Sequence, residues 1–264
     1  MFTKRTARLS AASTVLSIGM VAAASAASVQ ISITNNQAAD GVYLTPLASI
    51  LHNGSFDSFD RGVAASASVE LLAEEGDPSL VLGDAAAAGA VTGAILAPGG
   101  FGGAPVLDPG ETASIQLDVA DPTSNRFFSF LSMVIPSNDV FIGNDNSMAY
   151  EVFNAIGEFT GIGPILVYSD EAWDAGTEVN NGSGAPFNTA GGSPIETDGV
   201  VVGAADNLFF LNGQNTPAGT TIDLSGRTLL ATIEISQVPV PASLPLLLVG
   251  LGGIGLMRRR RARG

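Results

Sequence analysis

Short apolar runs, each closed by Gly, Pro, Asn or Asp, constrain this chain more than any other feature. Val29-Gln-Ile-Ser-Ile-Thr34 alternates apolar and polar side chains, the period of a strand with one face buried. Asn35-Asn36 ends it. Residues 42–46, 114–119, 127–135, 165–168, 208–211 and 228–235 repeat the theme at similar lengths. Such runs, punctuated by turn residues, pack as antiparallel sandwiches or barrels. Residues 65–75 depart from it: Val69, Leu71, Leu72 and Ala73 fall at helical spacing, with Gly76 as a stop. Residues 85–104, made of Ala, Gly and small side chains, read as a surface loop or a short helix with a Gly-rich exit. Residues 181–194 read as a second loop. The expected fold is all-β: a single antiparallel β-sandwich with one or two short helices.

Both ends of the chain carry targeting patterns. Lys4, Arg5 and Arg8 precede an apolar stretch at 9–24, and Ala24-Ser-Ala26 fits small-residue cleavage, so 1–26 read as a signal peptide. At the other end Val238-Pro-Val-Pro-Ala242 leads into an apolar run at 244–257 and then Arg258-Arg-Arg-Arg-Ala-Arg263. As a transmembrane helix, 242–257 would span about 24 Å at about 1.5 Å per residue. That falls short of the roughly 30 Å hydrocarbon core but within what tilting and thinning accommodate. The Arg cluster would stay cytoplasmic. These three parts, in this order, resemble the PEP-CTERM sorting tails of Gram-negative bacteria, in the Val-Pro-Leu-Pro-Ala variant with Val240 in place of Leu. The resemblance implies transient insertion in the inner membrane, recognition by an exosortase-type protease and delivery to the cell surface or extracellular matrix. A tail left uncut would be a simple anchor. Gly250-Leu-Gly252-Gly-Ile-Gly255 also matches a dinucleotide fingerprint, but without the βαβ context that motif needs. The chain thus divides into 1–26, a domain at 27–237, and a sorting signal at 238–264.

The domain is strongly acidic. It contains all 25 acidic residues but only Arg61, Arg126 and Arg227, for a net charge of −22. Such a field repels nucleic acid and anionic membrane surfaces and attracts cations; a saline habitat selects the same composition. There is no Cys and one His, His52. Thiol chemistry and the usual zinc sites are therefore closed. A Ser-His-Asp triad would have to use His52, which reads as a structural loop histidine, and no Gly-x-Ser-x-Gly turn occurs. A polysaccharide- or ester-hydrolysing surface enzyme built on paired carboxylates stays as the alternative to a non-enzymatic module.

Asp139 follows Pro136-Ser-Asn138 directly after the long apolar strand at 127–135, and Asp174 and Glu178 bracket Ala-Gly-Thr. Pro stops a strand and Gly176 permits a tight turn, so the three carboxylates could meet at strand ends. Hard oxygen ligands of this kind suit Ca2+, although the spacing is not that of an EF-hand and ordinary turn acids look the same. Asn53-Gly-Ser55 and Asn181-Gly-Ser183 match the glycosylation pattern, and Trp173, the only Trp, reads as a core plug beneath the loop.

Several blocks, taken together and in order, resemble the spondin domain. They are Thr45-Pro46, Leu51-His-Asn-Gly54, Phe59-Asp-Arg-Gly62, Leu72-Ala-Glu-Glu-Gly76, Phe128–Phe141, Val152-Phe-Asn-Ala-Ile-Gly157 and Trp173-Asp-Ala-Gly-Thr-Glu-Val-Asn180. The resemblance implies a β-sandwich of the synaptotagmin-like, calcium/lipid-binding type in an extracellular matrix protein, with a metal near the Asp-Ala-Gly-Thr loop. Asp174 takes the family's position in that motif. Glu178 stands where animal members have Asp, and Asp139 matches the Asp after the strand-ending Pro-Ser. The implied partners are extracellular polysaccharide or a cell-surface protein.

Overall fold

The computed structural model describes residues 26–98 and 103–239. The signal segment and the apolar run at 244–257 lie outside the described residues. Among the described residues no helix is long and apolar enough to cross a membrane.

The chain is mostly β, in two facing antiparallel sheets. In the first, β1 (Ala27–Asn35) sits beside β5 (Thr112–Val119) and β11 (Leu229–Gln237), and β8 (Ile165–Tyr168) closes the order β5-β1-β11-β8. The alternation in β1 works as read: Val29, Ile31 and Ile33 are buried, while Ser28, Gln30, Ser32 and Thr34 face outward. Those outward residues lie opposite Asp118, Gln116, Ser114 and Thr112 of β5.

The second sheet is built on β6 (Phe127–Ile135), flanked by β3 (Leu47–His52) and β7 (Val140–Gly143). It continues through β9 (Trp173–Asp174) to β10 (Val202–Gly203) on one side and to β4 (Val91–Ile95) on the other; β2 (Tyr43–Leu44) pairs with the end of β6. β6 is buried on both faces. Phe128, Phe130 and Val134 pack between the sheets, while Leu131 joins Ala48 and Ile50 beneath two helices. A continuous apolar run is what a strand with no solvent face requires.

The helices α1 (Ala67–Glu75) and α2 (Ser79–Ala87) lie on the outer face of this second sheet. Ser66 caps α1, accepting from the Val69 N–H at 3.3 Å. Gly76 ends it in the left-handed conformation, φ 69°. The structure is therefore a sandwich with a third, helical layer.

Three expectations are corrected. Among residues 85–98 the free-loop reading fails: 85–87 finish α2, as the short-helix reading has it, and 91–95 form β4. Pairing with β3 overrides the weak strand propensity of Gly93 and Ala94. A Cβ at Gly93 would lie 2.7 Å from Ile115 Cδ1, so the absent side chain admits the neighbouring sheet. Residues 208–211 are not a strand but part of a 3-10 segment, Asp206–Leu211, in which Asn207 and Leu208 have positive φ. His52 is not in a loop: it ends β3 and is fully buried.

Candidate functional site

β6 runs into Pro136, which has no N–H for the ladder, and the strand stops. Ser137 closes the turn. Its Oγ donates to the Val134 carbonyl (2.5 Å) and accepts from the Val140 N–H (3.0 Å). The turn delivers Asn138 and Asp139, both buried, to the sheet end. Asp174 arrives at the same place because β9 pairs it with Val140. Gly176 then reverses the chain with φ 74°, and any side chain there would come within 2.7 Å of the Val200 backbone.

Asp139 is the hub. Its Oδ2 accepts from the backbone N–H of Thr177 (2.8 Å) and of Glu178 (2.9 Å), and from Thr177 Oγ1 (3.4 Å). Its Oδ1 accepts from Asn180 Nδ2 at 2.5 Å. The same Nδ2 donates to Asp174 Oδ2 at 3.1 Å, while Asp174 Oδ1 accepts from the Gly176 N–H at 2.8 Å. Asn138 ties down the rest of the loop. Its backbone N–H donates to Asn180 Oδ1, its Nδ2 donates to Glu178 Oε2 and the Ser183 carbonyl, and its Oδ1 accepts from the Gly182 N–H. Asp139 and Asp174 are thus brought together, bridged by one amide. Glu178 joins them through its backbone, but its carboxylate turns to Asn138. Trp173 plugs the floor as read: its Nε1 donates to the Gly143 carbonyl and its ring meets that of Phe59 edge-on.

The charges here are not balanced. Burial raises the pKa of Asp174, and the charge of Asp139 raises it further against the Gly176 and Asn180 hydrogen bonds. Burial also raises Glu178, opposed by Asn138 and reinforced by Glu196, Asp139 and Glu75. Arg126 pairs with Glu151, and Arg227 with Asp170 and Glu171, so no ion pair among the described residues reaches this site.

A second acidic group borders the first. Glu70 and Glu74 of α1 and Glu196, which is bridged to Glu178, bring carboxylate oxygens within 4.8 Å of one another. Glu74 Oε1 is buried with no hydrogen-bond partner. Burial, above all, pushes Glu74 up to about 7; a Thr177 hydrogen bond works the other way, and Glu178, Glu70 and Glu196 add to the rise. The i,i+4 spacing of Glu70 and Glu74 was the available sequence signal for this group. Glu196 gave none, because it lies in a loop whose path only the fold reveals.

The donor set can be tested against calcium. The ion takes six to eight oxygens at about 2.3–2.6 Å. Between Asp139 Oδ1 and Asp174 Oδ2 stands the Asn180 amide nitrogen, a positively polarised group where a cation would sit. A cation replacing it would meet two carboxylate oxygens at once, with the remaining ligands to come from carbonyls, Glu178 or water. Asp139 and Asp174 fit that role; Glu178 fits it only if its carboxylate leaves Asn138.

His52 has no such freedom. Its Nδ1 accepts from the Gly54 N–H and its Nε2 lies 3.0 Å from Ser129 Oγ. Burial lowers its pKa to about 4. The ring is neutral with both nitrogens engaged, and is placed as a structural histidine.

Comparison with known proteins bears on the tail. Residues 237–261 match the family model described as the PEP-CTERM protein-sorting motif. The chain carries a PEP-CTERM sorting signal. The protein is therefore exported and sorted to the cell surface or extracellular space, and the signal is of the type handled by exosortase-type processing. The match begins at Gln237, the last residue of β11, and leaves the domain at 27–236 outside it. No curated protein matches the chain.

Proposed function

We propose that the exported domain is a non-enzymatic, calcium-binding module that attaches to extracellular polysaccharide or to a cell-surface protein, with a spondin-like sandwich as its scaffold. The observation that carries this reading is the pair Asp139 and Asp174. Two carboxylates share a single amide donor at a sheet end, one of them fully buried, in a domain of net charge −22 and without a basic side chain in the pair. A cation between them would relieve their repulsion and lock the 174–184 loop. Glu178 would complete the set by turning its side chain. The location supports the reading, because extracellular calcium modules work at dissociation constants of about 10⁻⁴–10⁻³ M.

The engaged nitrogens of His52 count against a triad form of the hydrolase alternative, since a triad would need that ring free to take a proton. Melting of the mature domain in excess calcium and in chelator tests the proposal. At about ten to a hundred times the dissociation constant, calcium should stabilise the fold by roughly 1.4–2.7 kcal/mol. Asp174→Asn should abolish the response. An unchanged melting temperature in the wild type, or a response that survives Asp174→Asn, defeats it.

A further inference from the structure

The sorting signal begins where the sheet has not yet ended. β11 pairs with β1 up to Val29 opposite Gln237, and the Val238 N–H still donates to the Ser28 carbonyl at 2.8 Å. Val238 is the first residue of Val238-Pro-Val-Pro-Ala242. No linker therefore separates the folded domain from the processing motif. On its other side β11 is covered only in part: β8 pairs with residues 229–233, and no described strand pairs there with residues 234–237. The last residues of β11 are thus zipped to one neighbour only. Beside them, Ile162 and Pro164, with Gln30 and Ser32 of β1, line a cleft of about 340 Å³ against Glu234, Ile235 and Ser236.

Proteases that take extended substrates hold several residues on the amino side of the cut, often by strand-like backbone pairing. For a cut within 238–242, those residues include the last of β11. The backbone groups that Ser236 and Val238 spend on β1 are closed to the protease until these residues part from it, and a protease that encloses the chain needs them. We propose that tail removal requires residues 234–238 to part from β1, so that processing competes with closure of the terminal strand pair. The tail is then cut from a chain that has not fully zipped, or from a folded domain whose last strand has peeled back. Because the peeled segment is bonded on one side only, opening it leaves the β1–β11–β8 core at residues 229–233 in place.

The test uses the full-length precursor in a host that processes such tails. Gln30 and Ser236 are exposed and directly paired, and the chain has no Cys of its own. The double variant Gln30→Cys, Ser236→Cys can therefore pin the strand end by a disulfide formed outside the cytoplasm. Processing, followed as the shift from precursor to mature size, should slow by roughly tenfold or more relative to either single variant, since the disulfide bars the opening that the single variants still reach. A Gly-Ser spacer of about eight residues between Gln237 and Val238 adds more than 20 Å of free chain. It should restore processing of the pinned variant to the single-variant rate. Equal processing of pinned and single variants overturns the proposal. So does a pinned variant that the spacer fails to rescue, because the disulfide would then act on something other than access.

Discussion

At the scale of single residues, Asp139 and Asp174 do different work although both are carboxylates at one sheet end. Asp139 is fully buried and accepts four hydrogen bonds from the 177–180 segment. Asp139→Asn replaces an acceptor by an NH₂ group facing donors, and should cost about 2–4 kcal/mol in chemical denaturation. Asp174→Asn keeps the turn to the Gly176 N–H and removes a charge repelled by Asp139, so its cost without calcium should be about 1 kcal/mol or less. Glu74 offers a pH test. Its pKa is raised to about 7 from 4.5, so the neutral form is favoured in the folded state. Its contribution is full below about pH 4.5 and lost as pH rises through 7. Glu74→Gln should therefore gain on the wild type as pH rises from 5 to 8, measured as the difference in urea midpoints. A constant difference would contradict the shift. His52 runs the other way: its pKa is lowered, so its contribution is full above about 6.5 and is lost as pH falls toward 4. The turn chemistry around Pro136 and Gly176 made Asp139 and Asp174 legible in the sequence. The bridging role of Asn138 and Asn180 was not, because it depends on hydrogen bonds between segments some 40 residues apart.

Among the elements, legibility follows burial pattern. β1, β5, β6, β8 and β11 were readable because alternation, or a continuous apolar run, is enforced by the faces they bury. β3 is illegible in the sequence although Leu47-Ala-Ser-Ile-Leu-His52 is buried throughout, since Ala, Ser and His dilute its apolar signal. β4 was hidden by small residues chosen for close sheet packing, and β9 and β10 are two residues each. Residues 208–211 misled because Leu-Phe-Phe-Leu has strand propensity, but it is spent filling the core from a 3-10 turn. Gly76 ends α1 where its position in the sequence indicates, and the reason goes beyond backbone freedom. A Cβ there would lie 2.4 Å from Thr45 Cγ2, and the Thr45 hydroxyl accepts the Met133 N–H at 2.9 Å. Gly76→Ala should therefore destabilise by about 1–3 kcal/mol, more than a left-handed alanine alone, by displacing Thr45 from β6. Thr45→Ser in the same background should recover part of the loss in thermal melts, since it removes the clashing methyl and keeps the hydroxyl.

For the molecule as a whole, the strand directions give the domain two distinct ends. β1 and β11 put residues 27 and 238 together at one end. At the other end of β1, Asn35 Nδ2 reaches the Val42 and Leu107 carbonyls, and the next residue along, Tyr43, pairs with Ile135 just before the Asp139 turn. The carboxylate site and residue 238, where the sorting signal starts, thus lie a strand length apart, roughly 25–30 Å for nine residues at about 3.3 Å each. A tail still held in a membrane would keep the strand ends near Ser236 against the bilayer and turn the 136–139 and 176–194 loops outward. The absence of native Cys makes this measurable. A membrane-impermeant maleimide should label Ser193→Cys equally in precursor and mature protein, because exposed Ser193 lies in the outward loop. It should label Ser236→Cys well in the mature form and at least several-fold more slowly in the membrane-held precursor. Equal labelling of Ser236→Cys in both forms would mean that the domain does not stand with its terminal end at the membrane.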